Sequence, residues 1–158
     1  MGKRVLLIGY GNPGRGDDGV GPALAERVEA MRLHGVTVES DYQLSIEHAA
    51  MAAEHDVVVF ADADPGSGEP FYLRPLAPSA PGRFTSHGVA PGEVLHLARA
   101  CFQAAPEGYL LGVRATVLDR FEEGLSRVAR EGLEAALEYL PRFIAAKRGD
   151  SQEAGMLV

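Results

Sequence analysis

The sequence predicts an α/β fold of three layers, with a mostly parallel, twisted sheet of about five strands and helices on both faces. Two observations support this prediction. Continuous apolar runs, typical of strands buried on both faces, occur at 4–11 and 56–64. Stretches with apolar residues at helical spacing alternate with the strands. The resulting order is β-α-β-α-β-(β)-α-β-α, which implies parallel strands joined by helical crossovers.

Each element has its own local signal. The strand at 4–11 stops at glycine, and Asp17 or Asp18 is expected to cap the helix that follows it. Ser45 is expected to cap the second helix. The other elements are predicted as strands at 35–40, 56–64 and 109–116, an edge strand at 71–74, a helix from Pro91 to about 102, and a last helix with an apolar stripe from Leu125 to Ile144, kinked or ended near Pro141.

Length and composition bound the possible functions. The 158 residues suit a single domain, which we assign to 1–146, with a disordered tail at 147–158. A formal net charge of −7 argues against a nucleic-acid partner and an anionic membrane, since both require a basic surface. The single cysteine, Cys101, excludes an internal disulfide and favours a cytoplasmic location. Cys101 is expected to be buried in a helix.

Acidic residues follow two of the predicted strands, and a histidine precedes a helix. Ligands of parallel sheets bind outside the carboxyl ends of the strands, where Asp17/Asp18, Asp62/Asp64 and His87 are expected to converge. Two carboxylates and one imidazole would form a metal site with open positions, suited to Zn, Ni, Fe or Mn. Each residue also has a structural interpretation: a helix cap for the first pair, a turn for Asp64, and a backbone hydrogen bond for His87.

A nucleotide site is the main alternative. Gly9, Gly11 and Gly14 fit the pattern G-x-G-x-x-G after a strand, and Glu39 lies where a ribose contact would be sought. Paired acids at the start of the next helix argue against a bound phosphate, because they already occupy the positive end of the helix dipole. No G-x-S-x-G elbow occurs, so no dedicated nucleophile is identified.

Three motifs resemble those of one family. GYGNPGRGDDGVG (9–21) resembles the N-terminal signature of the hydrogenase maturation endopeptidases, G-x-G-N followed after four residues by D-[DE]-x-x-G. VVVFADAD (57–64) is similar to that family's strand ending in an Asp-Ala pair. FTSHGVAPGEVLHLA (84–98) is similar to its Ser-His loop and the helix after it. The resemblance extends from about residue 4 to residue 140.

The resemblance implies a site and a substrate. It implies that Asp18, Asp62 and His87 contact nickel, and that the nickel is supplied by the precursor of a [NiFe]-hydrogenase large subunit. The protein would be a metal-dependent endopeptidase, without an organic cofactor, that removes a C-terminal peptide from this partner. Nickel could polarise the scissile carbonyl or activate water. The carboxylates could instead supply acid–base chemistry, as in an aspartic protease. A metal-dependent hydrolase with another target is a further alternative.

Overall fold

Five strands form one mixed sheet, which confirms the predicted α/β architecture. The computed structural model describes residues 2–80, 88–116, 118 and 123–149. The sheet has the order β2-β1-β3-β5-β4. Four strands are parallel, and β4 runs antiparallel to β5 at one edge. The strands are β1 (Val5–Tyr10), β2 (Val36–Asp41), β3 (Val57–Asp64), β4 (Phe71–Leu76) and β5 (Glu107–Arg114).

Helices cover both faces of the sheet, as predicted. They are α1 (Val20–Met31), α2 (Ile46–Ala53), α3 (Pro91–Phe102) and α4 (Arg127–Arg148). Helices α1 and α4 pack on one face, and α2 and α3 pack on the other. Alternate residues of β1 point to opposite faces, so Leu7 joins the first core cluster and Leu6 the second. The apolar runs at 4–11 and 56–64 are therefore buried on both sides.

Helix α4 extends further than the sequence predicts. Pro141 lies inside the helix, which continues to Arg148. Of the two predicted alternatives, an end of the helix near Pro141 is therefore wrong, and a kink there stays a prediction. Leu137 and Ile144, on either side of the proline, are both buried. Their burial holds the two halves of α4 against the same face of the sheet. The helix therefore ends two residues beyond the predicted domain limit of 146. Residues 150–158 lie outside the described part, and disorder there stays a prediction.

Two further sequence predictions have different outcomes. Ser45 is the N-cap of α2, as predicted, and forms a capping box with His48. Cys101, in contrast, is exposed, so its predicted burial is wrong. The last turn of α3 is exposed as a whole, and Phe102 within it is 47% exposed. Within the described ranges, none of the helices has the length and apolar character needed to cross a membrane.

Candidate functional site

A crevice of about 710 Å³ opens at the carboxyl ends of β1 and β3. These two strands are neighbours, but the chain leaves β1 towards β2 and leaves β3 towards β4 and β5. Such a switch point is where ligands bind in open α/β sheets, because the connections diverge and leave a gap. The side chains that line the crevice include Tyr10, Arg15, Asp18, Leu44, Asp62 and Val89.

The structure brings two of the three predicted nickel contacts together. Asp18 and Asp62 both line the crevice, and the charge of Asp18 acts on Asp62. His87 lies outside the described residues, so its predicted role is untested. Val89, two positions later, lines the same crevice, and its backbone N–H donates to the carbonyl of Leu44 at 3.3 Å. The described chain therefore resumes beside the crevice, at Gly88 and Val89.

Asp64 lies outside the crevice lining. Its Oδ1 accepts a hydrogen bond from the backbone N–H of Gly66 at 2.8 Å, and its Oδ2 accepts one from the hydroxyl of Tyr72 at 2.6 Å. The Tyr72 hydrogen bond is the main reason that the pKa of Asp64 is lowered. The turn-forming interpretation of Asp64 is the one that fits these contacts.

Asp17 and Asp18 are neighbours with different environments, and neither caps α1. Both lie in a single 3₁₀ turn, Gly16–Gly19, and the N-cap of α1 is Gly19. Asp17 is fully buried and accepts hydrogen bonds from the backbone N–H of Thr116 at 2.8 Å and of Ser126 at 2.6 Å. The hydroxyls of the same two residues also donate to it. These four donors explain why the buried Asp17 carboxylate turns away from the start of α1, where the sequence analysis expected it to act as a cap.

Asp18 instead faces the loop that follows β1. Its Oδ2 accepts a hydrogen bond from the backbone N–H of Asn12 at 2.7 Å. The side-chain Oδ1 of Asn12 accepts one in turn from the N–H of Gly14 at 2.9 Å. These two hydrogen bonds shape the loop so that one acid of the pair lines the crevice while the other anchors the turn.

Two of the three glycines of the nucleotide motif, Gly9 and Gly11, are accounted for by contacts within the chain. Gly11 has a φ of +141°, and a Cβ there would lie 1.9 Å from the carbonyl oxygen of Asp18. A Cβ on Gly9 would lie 2.1 Å from the carbonyl oxygen of Gly21. Glycine is required at both positions because the backbone packs closely against itself. Glu39, the candidate ribose contact, is not among the described residues that line the crevice.

The surroundings of Asp62 disfavour the ionised form of its carboxyl group. Burial is the main cause that raises its pKa to about 6, and the charges of Asp18 and Asp64 raise it further. Hydrogen bonds from the hydroxyl of Tyr10 and from the backbone N–H of Ala63 lower the pKa and so oppose this shift. The N–H of Ala63 lies 2.8 Å from Oδ1 of Asp62. Asp62 is therefore restrained by hydrogen bonds in a position where its ionised form is destabilised.

Tyr10 and Arg15 line the crevice, although the sequence assigned neither of them a role in the site. Tyr10 was counted only as the end of a strand, although its hydroxyl bonds to Asp62. Burial, followed by the charge of Asp62, raises the pKa of Tyr10 well above its usual range. Arg15 adds a positive side chain to the two acids of the lining. The signal for Tyr10 lay in the strand period, which puts it on the same sheet face as Leu6 and Ile8.

The donor set suits a divalent cation only in part. The carboxylates of Asp18 and Asp62 are hard oxygen donors, which divalent metals accept. Within 2–80, 88–116, 118 and 123–149, no group of three His, Cys, Asp or Glu side chains is arranged to hold a metal ion. Further donors would have to come from His87 or from a substrate.

The fold is similar to those of solved hydrogenase maturation proteases. HycI, a [NiFe] hydrogenase maturation protease from Thermococcus kodakarensis, is 26% identical, with a TM-score of 0.71 over 89% of this chain and 92% of that chain. HybD, the hydrogenase maturating endopeptidase from E. coli, is 22% identical, with a TM-score of 0.68 over 87% and 89%. Hydrogenase 2 maturation peptidase from Thaumarchaeota archaeon SCGC_AB-539-E09 is 24% identical, with a TM-score of 0.65 over 90% and 99%.

No protein-family model matches the sequence, and no curated protein matches it. The two likenesses below 25% identity establish the fold alone, whereas HycI matches in fold and at 26% identity over nearly the whole of both chains. The motifs at 9–21, 57–64 and 84–98 also follow one another in the order that the resemblance requires. On these grounds, the chain is similar in fold and in the order of its motifs to the [NiFe]-hydrogenase maturation proteases.

Proposed function

We propose that this protein is an endopeptidase that removes the C-terminal peptide from the nickel-loaded precursor of a [NiFe]-hydrogenase large subunit. The observation that carries the proposal is the pair of acids, Asp18 and Asp62, in a crevice at the switch point of a maturation-protease fold. The volume of this crevice, about 710 Å³, falls within the range of ligand-binding clefts. The expected partner is the precursor, and the expected location is the cytoplasm.

In this proposal, the metal belongs to the substrate. Asp18, Asp62 and His87 would contact nickel that the precursor already holds, so that cleavage follows nickel insertion. Two chemical roles are open for the protein. The site could present the scissile carbonyl to nickel acting as a Lewis acid. Alternatively, the carboxylates of Asp18 and Asp62 could transfer protons, as in an aspartic protease.

The test is a cleavage assay. Purified protein is mixed with a candidate large-subunit precursor, with and without nickel, and the mass of the precursor is followed. Loss of a C-terminal peptide only from the nickel-loaded precursor is expected. Asp18→Ala, Asp62→Ala and His87→Ala should each fold and slow cleavage by about 100-fold or more, as removal of a group used in the reaction does.

Asp64→Ala is the matched control. Asp64 lies on the same strand as Asp62 but outside the crevice lining, so this variant should cleave at a rate within about twofold of the wild type. Equal cleavage of nickel-free precursor would contradict the role of the metal. Normal processing by the Asp18 and His87 variants would contradict the assigned site.

The nucleotide-binding alternative predicts a different result. Calorimetry with NAD or NADP would show tight binding that Asp18→Asn leaves unchanged. The close packing of Gly9 and Gly11 against the chain itself favours the protease, since those glycines have a structural role without any phosphate.

A further inference from the structure

Tyr10 and Asp62 lie side by side at the floor of the crevice. Gly9 of β1 pairs with Ala61 of β3, so Tyr10 and Asp62 are one position further along adjacent parallel strands. Side chains at equivalent positions of neighbouring strands point to the same face of the sheet. Both residues line the crevice, so the Tyr10 hydroxyl and the Asp62 carboxylate are neighbours, and hydrogen bonding between them is among the causes that shift the pKa of each.

Among the described residues, the hydrogen-bond donors to the Asp62 carboxylate are the hydroxyl of Tyr10 and the backbone N–H of Ala63. Its Oδ1 accepts a hydrogen bond from the backbone N–H of the next residue, Ala63, at 2.8 Å. That bond is local and fixes one oxygen, while the carboxyl group can still turn about it. A second donor on a different strand fixes the plane of the group. A carboxylate offers about four lone-pair sites, so two donors leave others directed at a substrate.

We propose that Tyr10 is a positioning residue for the proposed cleavage reaction, because its hydroxyl holds the Asp62 carboxylate in the crevice beside Asp18. Tyr10 acts through Asp62, and no contact with the reacting atoms is required of it. The inference rests on the proposed function for its kinetic consequence, but the hydrogen bond itself concerns the free protein.

Packing alone does not account for the tyrosine. Its ring packs against the core cluster formed with α2 and α3, and phenylalanine would fill the same space. The hydroxyl adds a polar group to a partly buried position, where it must find a partner. That partner is one of the two acids of the crevice, which gives the hydroxyl a role beyond burial.

The chain offers a matched control. Asp64 lies two positions after Asp62 on β3. The hydroxyl of Tyr72, on β4, donates a hydrogen bond to the Asp64 carboxylate at 2.6 Å. The two pairs have the same chemistry, tyrosine to aspartate, but neither Tyr72 nor Asp64 lines the crevice. Removing each hydroxyl therefore compares one tyrosine–aspartate bond inside the site with one outside it.

The kinetic test compares Tyr10→Phe with Tyr72→Phe in cleavage of the nickel-loaded precursor. Tyr10→Phe should lower kcat by about 10- to 100-fold with little change in KM, as expected for loss of one hydrogen bond to a charged group used in the reaction. Tyr72→Phe should stay within about twofold of the wild type. Equal effects of the two variants, or a change in KM alone, would overturn the proposal.

A crystal structure of metal-free Tyr10→Phe gives a second, independent result. The backbone and the substituted aromatic ring should superimpose on the wild type, while the Asp62 carboxylate turns about the bond to Ala63. An unmoved carboxylate would overturn the proposal even if activity falls. If the wild type cleaves no precursor, the proposed function fails, and the position of Asp62 in the variant still decides whether Tyr10 holds it.

Discussion

Asp62 gives up solvation when the chain folds, and its ionisation therefore opposes folding. Its pKa rises from 3.8 to about 6 in the folded protein. Between these values, the folded state binds more protons than the unfolded state, so stability falls as the pH rises through the window. The stabilising contribution of the neutral acid is complete below about pH 4 and is lost above about pH 6.

Asp62→Asn should remove this pH dependence. From pH 4.5 to 7.5 in EDTA, the free energy of unfolding of the wild type should fall by about 2 kcal/mol relative to the variant. Urea unfolding at a series of pH values measures this difference. Asp64→Asn serves as the control, because the pKa of Asp64 is shifted in the opposite direction. Parallel stability profiles for wild type and Asp62→Asn would show that burial of Asp62 carries no such cost.

The 3₁₀ turn, the segment after β5 and the start of α4 are held together by one buried carboxylate. Asp17 accepts hydrogen bonds from Thr116 and from Ser126, the N-cap of α4. Asp17→Asn keeps the shape but places an NH₂ group against these N–H donors. We expect it to lower the free energy of unfolding by about 2–3 kcal/mol, since donors that converge on a fully buried carboxylate lose an acceptor.

Asp18→Asn is the internal control for this element. Asp18 is only partly buried, and asparagine keeps an acceptor for the N–H of Asn12. Its effect on stability should stay below about 1 kcal/mol. Chemical denaturation of both variants measures the contrast. Equal losses would mean that the turn is not anchored through Asp17.

At the scale of the whole molecule, the end of α4 closes against the start of the chain. Arg148 is 7% exposed, and its Nε donates to the carbonyl of Lys3 at 3.1 Å. The backbone N–H of Lys3 donates in return to the carbonyl of Arg148 at 3.2 Å. A Cβ on Gly35 would lie 2.2 Å from the Arg148 Nε, so the guanidinium fills the space against this glycine.

Arg148→Ala should therefore destabilise the fold by about 1–3 kcal/mol, because it removes a buried side chain and its hydrogen bond. Lys147→Ala is the control. Lys147 pairs with Glu107 at 2.8 Å on a solvent-accessible surface, and its loss should cost less than about 1 kcal/mol. Thermal unfolding compares the two. A larger effect for Lys147 would contradict the importance of the buried contact.

The sequence predicts the architecture and the sheet edge at which the site lies. It does not show which of two neighbouring acids, such as Asp17 and Asp18, faces the crevice. Strand runs buried on both faces and helical stripes depend on periodicity, which is visible in the sequence, and they predict the sheet correctly. The different environments of Asp17 and Asp18 depend on Thr116 and Ser126, about a hundred residues away. The pairing of Tyr10 with Asp62 depends on strand register. Such long-range contacts leave no local pattern.

The partners of Asp17 also determine when the acidic loop can be completed during synthesis. The loop lies near the N-terminus, but its anchors at Thr116 and Ser126 are synthesised about a hundred residues later. A nascent chain that has left the ribosome only as far as β5 carries Asp18 and Asp62 without the bonds that fix the turn. The 3₁₀ turn that carries Asp18 is therefore fully anchored only after the start of α4 has emerged.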